Sequence, residues 1–169
     1  MMEKPDLPET LGALALHYQR ELQDHRLHRA NMQLIQFLGK VKAHFLRETT
    51  YQCGNISPGY LDYSYFAFFN TALRANKLRF GIVLNHHALR FELWLMGQNA
   101  DMQHHYWSIL KASPWNVGFD AMPIYSVLET VLVESPNFDR PEQLIKEIEA
   151  TATLAAEEIM MWLTPHLEH

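Results

Sequence analysis

The spacing of apolar residues changes twice along this chain, and that change limits its possible folds more than any other feature. Near the start, Leu11, Leu14 and Tyr18 recur every three or four positions, and Leu144 and Ile148 repeat the pattern near the end. Between these segments the period becomes two, and the residues become aromatic and β-branched. A period of 3.6 is typical of helices and a period of two is typical of strands. We therefore expect an α+β domain with long N- and C-terminal helices around a central sheet.

Capping and turn residues place the boundaries of these elements. The first helix is predicted to begin at Asp6-Leu7-Pro8-Glu9 and to reach about residue 47, with a break or bend in the polar run 23–31. The last helix begins at Asp139-Arg140-Pro141-Glu142, and Pro165 ends it. Four strands are predicted, at 60–69, 78–85, 89–96 and 124–134, with a helix from Asn99 to about Lys111 between the last two.

The order along the chain is therefore α-β-β-β-α-β-α. The second and third strands form a hairpin around His86-His87-Ala88. The third and fourth strands are joined through a helix, and such crossovers favour parallel pairing. We predict a four-stranded, mixed and mainly antiparallel sheet.

Length and composition favour one folded domain. The chain has 169 residues, of which 48% are apolar, and this is enough apolar material to exclude a disordered protein. We expect a single domain over residues 1–166. The last three residues, Leu167, Glu168 and His169, are typical of an expression-tag remnant.

The sequence favours a cytoplasmic location. Cys53 is the one cysteine and cannot form an internal disulfide, as is usual in a reducing compartment. The apolar runs, such as 65–69, are far shorter than the ~20 residues that a membrane-spanning helix needs. We therefore expect no membrane association.

Charge is distributed unevenly. Residues 20–90 include ten basic and four acidic residues, a net charge of +6, whereas residues 91–169 include three basic and twelve acidic residues, a net charge of −9. Such asymmetry is compatible with a nucleic-acid-binding face, or with packing of the acidic last helix near the basic first one, within one chain or across a dimer. We expect a homodimer, with nucleic acid as the alternative partner.

Strand parity separates a core face from a polar face. Leu78, Phe80, Ile82 and Leu84 alternate on the second strand, and Leu89, Phe91, Leu93 and Leu95 alternate on the third, so these side chains are predicted to form the core. The opposite face carries Arg90, Glu92 and Trp94, beside Arg79 and Asn85. The same parity places Asp62 and Ser64 of the first strand and Glu129 of the fourth on this polar face.

These positions define a candidate ligand-binding site. The predicted site residues are Asp62, Arg90, Glu92, Trp94 and Asn99. They would converge where a strand end meets a helix N-terminus, an arrangement suited to a small polar ligand or a protein partner. The alternative is a solvated face crossed by weak ion pairs.

No catalytic residue, metal site or cofactor is predicted. The ten histidines include the adjacent pairs His86-His87 and His104-His105, and adjacent side chains point in different directions and cannot chelate one ion together. Cys53 has no activating histidine at a suggestive spacing. The sequence also lacks a glycine-rich phosphate loop and a serine elbow.

Two segments resemble a known family. Residues 59–66 read Gly-Tyr-Leu-Asp-Tyr-Ser-Tyr-Phe, and residues 91–99 read Phe-Glu-Leu-Trp-Leu-Met-Gly-Gln-Asn, followed by Tyr106-Trp107. From about Lys40 to Trp115 the chain is similar to a family of uncharacterised bacterial proteins, a domain of unknown function. This resemblance implies a bacterial cytoplasmic single domain. It identifies Asp62, Glu92, Trp94 and Asn99 as matching positions.

The predicted element order also resembles the core of the restriction-endonuclease-like superfamily. Those nucleases carry an acidic residue on the second core strand and a Glu-x-Lys on the third, where the carboxylates hold Mg²⁺ and the lysine helps to activate water. Here the second strand carries no carboxylate, and the third reads Glu92-Leu93-Trp94. We therefore expect a non-catalytic ligand-binding or protein-interaction domain. A nuclease-like protein, with Asp62 and Glu92 holding a metal, is the alternative.

Overall fold

The computed structural model describes residues 9–168 and confirms an α+β architecture. Its helices are α1 (Leu11–Leu22), α2 (Arg26–Glu48), α3 (Thr71–Ala75), α4 (Ala100–Leu110) and α5 (Pro141–Leu163), followed by a 3₁₀ turn (Thr164–His166). Its strands are β1 (Gln52–Ser57), β2 (Tyr63–Phe69), β3 (Leu78–Asn85), β4 (Arg90–Gly97) and β5 (Leu128–Val133). Two compact units meet in the chain at Leu34 and Ile35. The first contains α1 and the start of α2, and the second contains all the strands.

The predicted break in the N-terminal helical segment is confirmed. Between α1 and α2, His25 has a left-handed backbone with φ of 60°. The Asp24 carboxylate accepts a hydrogen bond from the Arg26 N–H at 3.0 Å, which starts the second helix. The predicted start at Asp6-Leu7-Pro8 lies outside the described residues, and the described part of α1 is capped by Thr10, whose hydroxyl accepts from the Ala13 N–H.

The sheet has five strands rather than the predicted four, and every neighbouring pair is antiparallel, in the order β1-β2-β3-β4-β5. The additional strand is β1, which pairs with β2 and is interrupted by an irregularity between Cys53 and Ile56. Its sequence, Gln-Cys-Gly-Asn-Ile-Ser, has no alternating apolar pattern. An edge strand buries little of either face, so hydrogen bonds to β2 form it without that pattern.

The predicted parallel pairing of the strands on either side of α4 is wrong. β4 and β5 are antiparallel, and Leu95 near the end of β4 lies opposite Leu128 at the start of β5. The Val127 N–H donates to the Leu95 carbonyl at 2.7 Å, so the segment 98–127 returns to the end of the sheet that it left. A helix within a connection therefore does not make it a crossover.

One face of the sheet forms the main core against α2 and α5. Phe45 of α2 packs on Phe66 and Phe68 of β2, with ring centroids 6.2 and 4.7 Å apart, and Phe37 lies 6.0 Å from Phe91. Helix α5 buries the apolar stripe Leu144, Ile148, Ala152, Ala156, Ile159 and Leu163. His44 of α2 lies 3.8 Å from Glu149 of α5, so the acidic last helix and this part of α2 are neighbours.

Two residues lie elsewhere than strand parity predicted. Ser64 pairs with Leu84 and has the same parity as the buried Phe66 and Phe68, so it lies on the core face. Tyr63 and Tyr65 lie on the other face. Leu89 is not in the core. It belongs to the turn before β4 and is 46% exposed. The other residues predicted for the core on β3 and β4 are buried.

The C-terminal segment is hydrogen-bonded to the turn after α3. The Asn76 side chain accepts from the Glu168 N–H at 2.9 Å and donates to the Glu168 carbonyl at 3.1 Å. Whether Leu167 and Glu168 belong to an expression tag stays a prediction. None of the described helices is both long enough and apolar enough to cross a membrane.

Candidate functional site

A buried carboxylate is the centre of the face opposite the main core. Arg90, Glu92 and Trp94 alternate along β4 on this face, and Glu92 is only 3% exposed. One carboxylate oxygen of Glu92 accepts from Arg90 Nε at 2.7 Å and from Asn85 Nδ2 at 3.1 Å. The other accepts from Trp94 Nε1 at 2.8 Å. Three donors of the protein therefore satisfy this charge, as burial of a carboxylate requires.

The network extends from Glu92 to the sheet edge through Arg90. The hydrogen bond and charge of Glu92 raise the pKa of Arg90, which keeps the guanidinium protonated. Its Nη1 lies 3.4 Å from both carboxylate oxygens of Glu134, which is exposed. Arg90 thus joins a buried acid to a solvent-facing one.

Aromatic side chains cover this network. Trp94 packs with Val83 and Met96, and its ring lies 4.9 Å from the ring of Tyr63. The ring of Tyr125, in the segment before β5, lies 6.4 Å from that of Tyr63. Glu129 pairs with Trp94 across the strands, and desolvation of its carboxyl group, with a smaller effect from Glu92, raises its pKa. Glu129 therefore lies on the polar face, as strand parity predicted.

Asp62 lies at the same end of the sheet as Arg90, but its carboxylate is hydrogen-bonded within its own turn. It accepts from the N–H groups of Tyr60 at 2.8 Å and Tyr63 at 2.7 Å, and these bonds lower the pKa of Asp62. The Asp62 carbonyl accepts from the His86 N–H at 2.9 Å, so the turn before β2 and the turn before β4 are joined.

Asn99 lies beyond the other end of β4, after Gly97. Its side chain accepts from the Met102 N–H at 2.9 Å and caps α4. The structure thus brings together Arg90, Glu92 and Trp94, places Asp62 near the same sheet end, and leaves Asn99 apart. The role of these residues in ligand binding stays a prediction.

Two leucines at the tips of the joined turns were not predicted as functional. Leu61 and Leu89 have φ values of 62° and 48°, in the left-handed region that favours Gly and Asn. They are 47% and 46% exposed, and the neighbouring Tyr60 is 94% exposed. For Leu89, the sequence signal would have been a hairpin turn, His86-His87-Ala88-Leu89, without Gly or Asn, whereas the turn of Leu61 contains Gly59 and gives no such signal. We call Tyr60, Leu61 and Leu89, which lie in these two joined turns, the turn surface.

A model of the family described as "Domain of unknown function (DUF7000)" matches residues 13–163. The chain belongs to the DUF7000 family. The resemblance to a family of unknown function is therefore confirmed, over a longer part of the chain than its motifs suggested. No curated protein and no solved structure matches the chain.

This DUF7000 domain contains a serine–histidine contact that does not form a nucleophile. The Ser64 hydroxyl donates to the Pro58 carbonyl at 2.6 Å, so its single proton is used, and it accepts from His86 Nε2 at 2.7 Å. Ser64 is fully buried. A serine nucleophile instead donates to its histidine and is open to substrate.

The described part of the DUF7000 domain contains neither a cluster of metal-ligating side chains nor an activated thiol. Within residues 9–168, no group of three or more His, Cys, Asp or Glu side chains is placed to hold a metal ion. Burial raises the pKa of the Cys53 thiol to about 11, so little thiolate exists near neutral pH.

Proposed function

We propose that this DUF7000 domain is a non-catalytic protein-interaction domain that binds a second copy of itself through the turn surface. The observation that carries the proposal is the left-handed backbone of two exposed leucines, Leu61 and Leu89, in adjacent turns.

These conformations cost folding free energy. An L-residue with a Cβ loses about 1–2 kcal/mol in the left-handed helical region, whereas Gly adopts it freely. Nearly half of each leucine stays exposed, so burial within the fold supplies only part of the stabilisation that a fully covered leucine would give. Strained residues that the surrounding structure holds in place are concentrated at functional sites. A partner that covers the leucine side chains would explain why they are there.

The turn surface is held rigidly from beneath. The Asp62 carboxylate fixes the first turn, and Asn85 Oδ1 accepts from the Ala88 N–H at 3.1 Å in the second. Asn85 also donates to Glu92, which connects the second turn to the buried network. A preordered surface loses less entropy on binding, and aromatic anchors dominate the energetics of protein interfaces. In this proposal Asp62, Arg90, Glu92 and Trp94 position the contact surface, and Asn99 has no part in it.

The charges beside the turn surface favour a second copy as the partner. Arg90 is partly exposed, and its ion-pair partner Glu134, just after β5, is exposed. A twofold interface places the same patch against itself, so it needs an apolar centre and both signs of charge at its margin. The turn surface with Arg90 and Glu134 meets that requirement.

Replacing both leucines by asparagine tests the proposal, because Asn tolerates the left-handed conformation and removes the apolar contact. We expect light scattering after size exclusion to give a dimer for the wild type and a monomer for the Leu61→Asn, Leu89→Asn protein. The melting temperature of the variant monomer should equal or exceed that of the wild-type protein at concentrations where it is monomeric, because Asn relieves the backbone strain.

The matched control is Leu154→Gln, which removes another exposed leucine, from α5. This variant should remain a dimer. A monomeric wild type, or a dimer that survives the double replacement, would refute the proposal.

The proposal includes a bacterial cytoplasmic setting, supported by the sequence resemblance and by the single cysteine. The nuclease-like alternative gains no support from Asp62 and Glu92, because both carboxylates are already hydrogen-bonded within the fold.

A further inference from the structure

A small cavity lined by three cationic side chains lies at the opposite end of the sheet from the turn surface. It has a volume of about 330 Å³, within the range of small-molecule sites. Its lining residues are Phe69, Arg74, Lys77, Leu78, Arg79 and Gln98. The two ends of β3, Leu78 and Asn85, are seven residues apart, or about 23 Å along an extended strand, so this cavity is separate from the turn surface.

The cations of the cavity form no ion pair within the described chain, although Lys77 and Glu168 both line a neighbouring pocket. None of the described lining residues is acidic, and the four ion pairs formed within residues 9–168 include neither Arg74, Lys77 nor Arg79. From Tyr63 to Ala100 the single acidic residue is Glu92, which its own network satisfies. Like charges held in one cavity repel each other, and an anion between them would remove that repulsion.

Arg79 supplies a second, independent observation. Its Nε is buried and has no hydrogen-bond partner among the described residues. Buried donors in native proteins are almost always paired with a protein group, water or a ligand. Arg79 lies opposite Met96 on the face that carries Trp94, and its side chain lines the cavity. Because Nε itself has no exposed surface, a ligand in the cavity would contact the terminal nitrogens of the guanidinium.

The other two cations are held in place by local structure. The Arg74 guanidinium lies over the Phe69 ring, 5.4 Å from its centre. Lys77 has a φ of 58° just after α3, at a position where helices commonly place Gly. Its carbonyl accepts from the Gln98 N–H at 2.9 Å. As with the turn leucines, a strained position is occupied by a side chain that faces a potential ligand site.

We propose that this cavity binds a small ligand through its phosphate group. Arginine presents a planar set of donors that matches phosphate oxygens, and lysine adds a point charge. A doubly charged phosphate suits a cavity lined by three cations better than a singly charged carboxylate does. A cavity of this volume admits a compact phosphate or phosphomonoester, whereas a nucleic acid chain would need an extended basic surface.

Titration calorimetry at constant ionic strength tests the site with inorganic phosphate and glycerol 3-phosphate, and with glycerol as the uncharged control. We expect binding of both phosphates and no binding of glycerol. Tighter binding of glycerol 3-phosphate would support a phosphomonoester ligand, and tighter binding of inorganic phosphate would support free phosphate. No binding of either compound would overturn the proposal.

The decisive variant is Lys77→Gly, because glycine relieves the left-handed backbone while removing the charge. It should fold at least as stably as the wild type, and it should weaken phosphate binding about tenfold or more. Arg79→Gln should weaken it similarly, and Arg29→Gln, an exposed arginine in α2, should not. Unchanged affinity in a folded Lys77→Gly protein would overturn the proposal. Binding of an oligonucleotide with a steep salt dependence, in preference to glycerol 3-phosphate, would do so in favour of a nucleic-acid interface.

Discussion

The carboxylate of Glu92, which was predicted to bind a ligand, is hydrogen-bonded within the fold. An acid on a strand that is otherwise apolar suggested a ligand contact, yet its carboxylate is buried against Arg90, Asn85 and Trp94. Sequence parity predicted correctly that Arg90, Glu92 and Trp94 share a face. It could not predict that they bind one another, because side-chain contacts depend on rotamers and on what covers the face.

We expect Glu92→Ala to destabilise the protein by about 2–4 kcal/mol, since it leaves three donors without their shared acceptor. Urea unfolding measures this difference. The control is Glu134→Gln, which removes the exposed partner of Arg90 and should change stability by no more than about 0.5 kcal/mol. Equal effects of the two replacements would mean that the buried network does not support the sheet.

His86 gives the stability a pH dependence of defined sign. Burial lowers the pKa of His86, so below about pH 6.5 the unfolded chain binds a proton that the folded chain does not. This contribution to stability should be complete above about pH 6.5, and it should fall as the pH decreases towards the pKa of the folded state.

Urea unfolding at several pH values, compared with His86→Gln, isolates this contribution. Glutamine retains an amide donor for Ser64 but does not titrate, so the slope below about pH 6.5 should become smaller. His87→Gln, at an exposed neighbouring position, should retain the slope. A wild-type slope that His86→Gln leaves unchanged would contradict the assignment.

Among the helices and strands, the sequence predicted those with a strong apolar period. It missed those that form because of hydrogen bonds or packing with neighbouring elements. The β3–β4 hairpin and α4 with its Asn99 cap match the predicted positions within a residue or so. β1 was missed because its hydrogen bonds to β2, rather than an apolar pattern, form the strand. The direction of β5 was wrong because the route of residues 98–127 depends on tertiary contacts.

The junction of β4 and α4 leaves no space for a side chain at Gly97. A Cβ there would lie 2.8 Å from the Gln103 nitrogen and 3.0 Å from the Met102 carbonyl carbon, both backbone atoms. We expect Gly97→Ala to lower stability by about 1–3 kcal/mol in thermal unfolding, because the start of α4 must move. Gly118→Ala, where a Cβ would meet nothing within 4 Å, should be close to neutral. Similar effects of the two would show that α4 does not pack tightly on the end of β4.

In the molecule as a whole, two surfaces with different chemistry lie at opposite ends of the sheet. One end presents the turn surface above the Glu92 network, and the other end holds the cationic cavity. Neither surface was predicted. Each depends on residues with a left-handed backbone, Leu61, Leu89 and Lys77, whose residue types do not indicate that conformation. Each also brings together segments that are distant in sequence. The α+β class and the two faces of β3 and β4 followed from periodicity, which reports burial and little else.

The proposed self-association is tested by hydrogen–deuterium exchange of the wild-type protein, measured from low to high protein concentration. If the turn surface is the interface, peptides covering residues 58–62 and 86–90 will exchange more slowly in the dimer, and peptides from the cavity end will not change. Unchanged exchange in both turns, or protection confined to another region, would contradict the account.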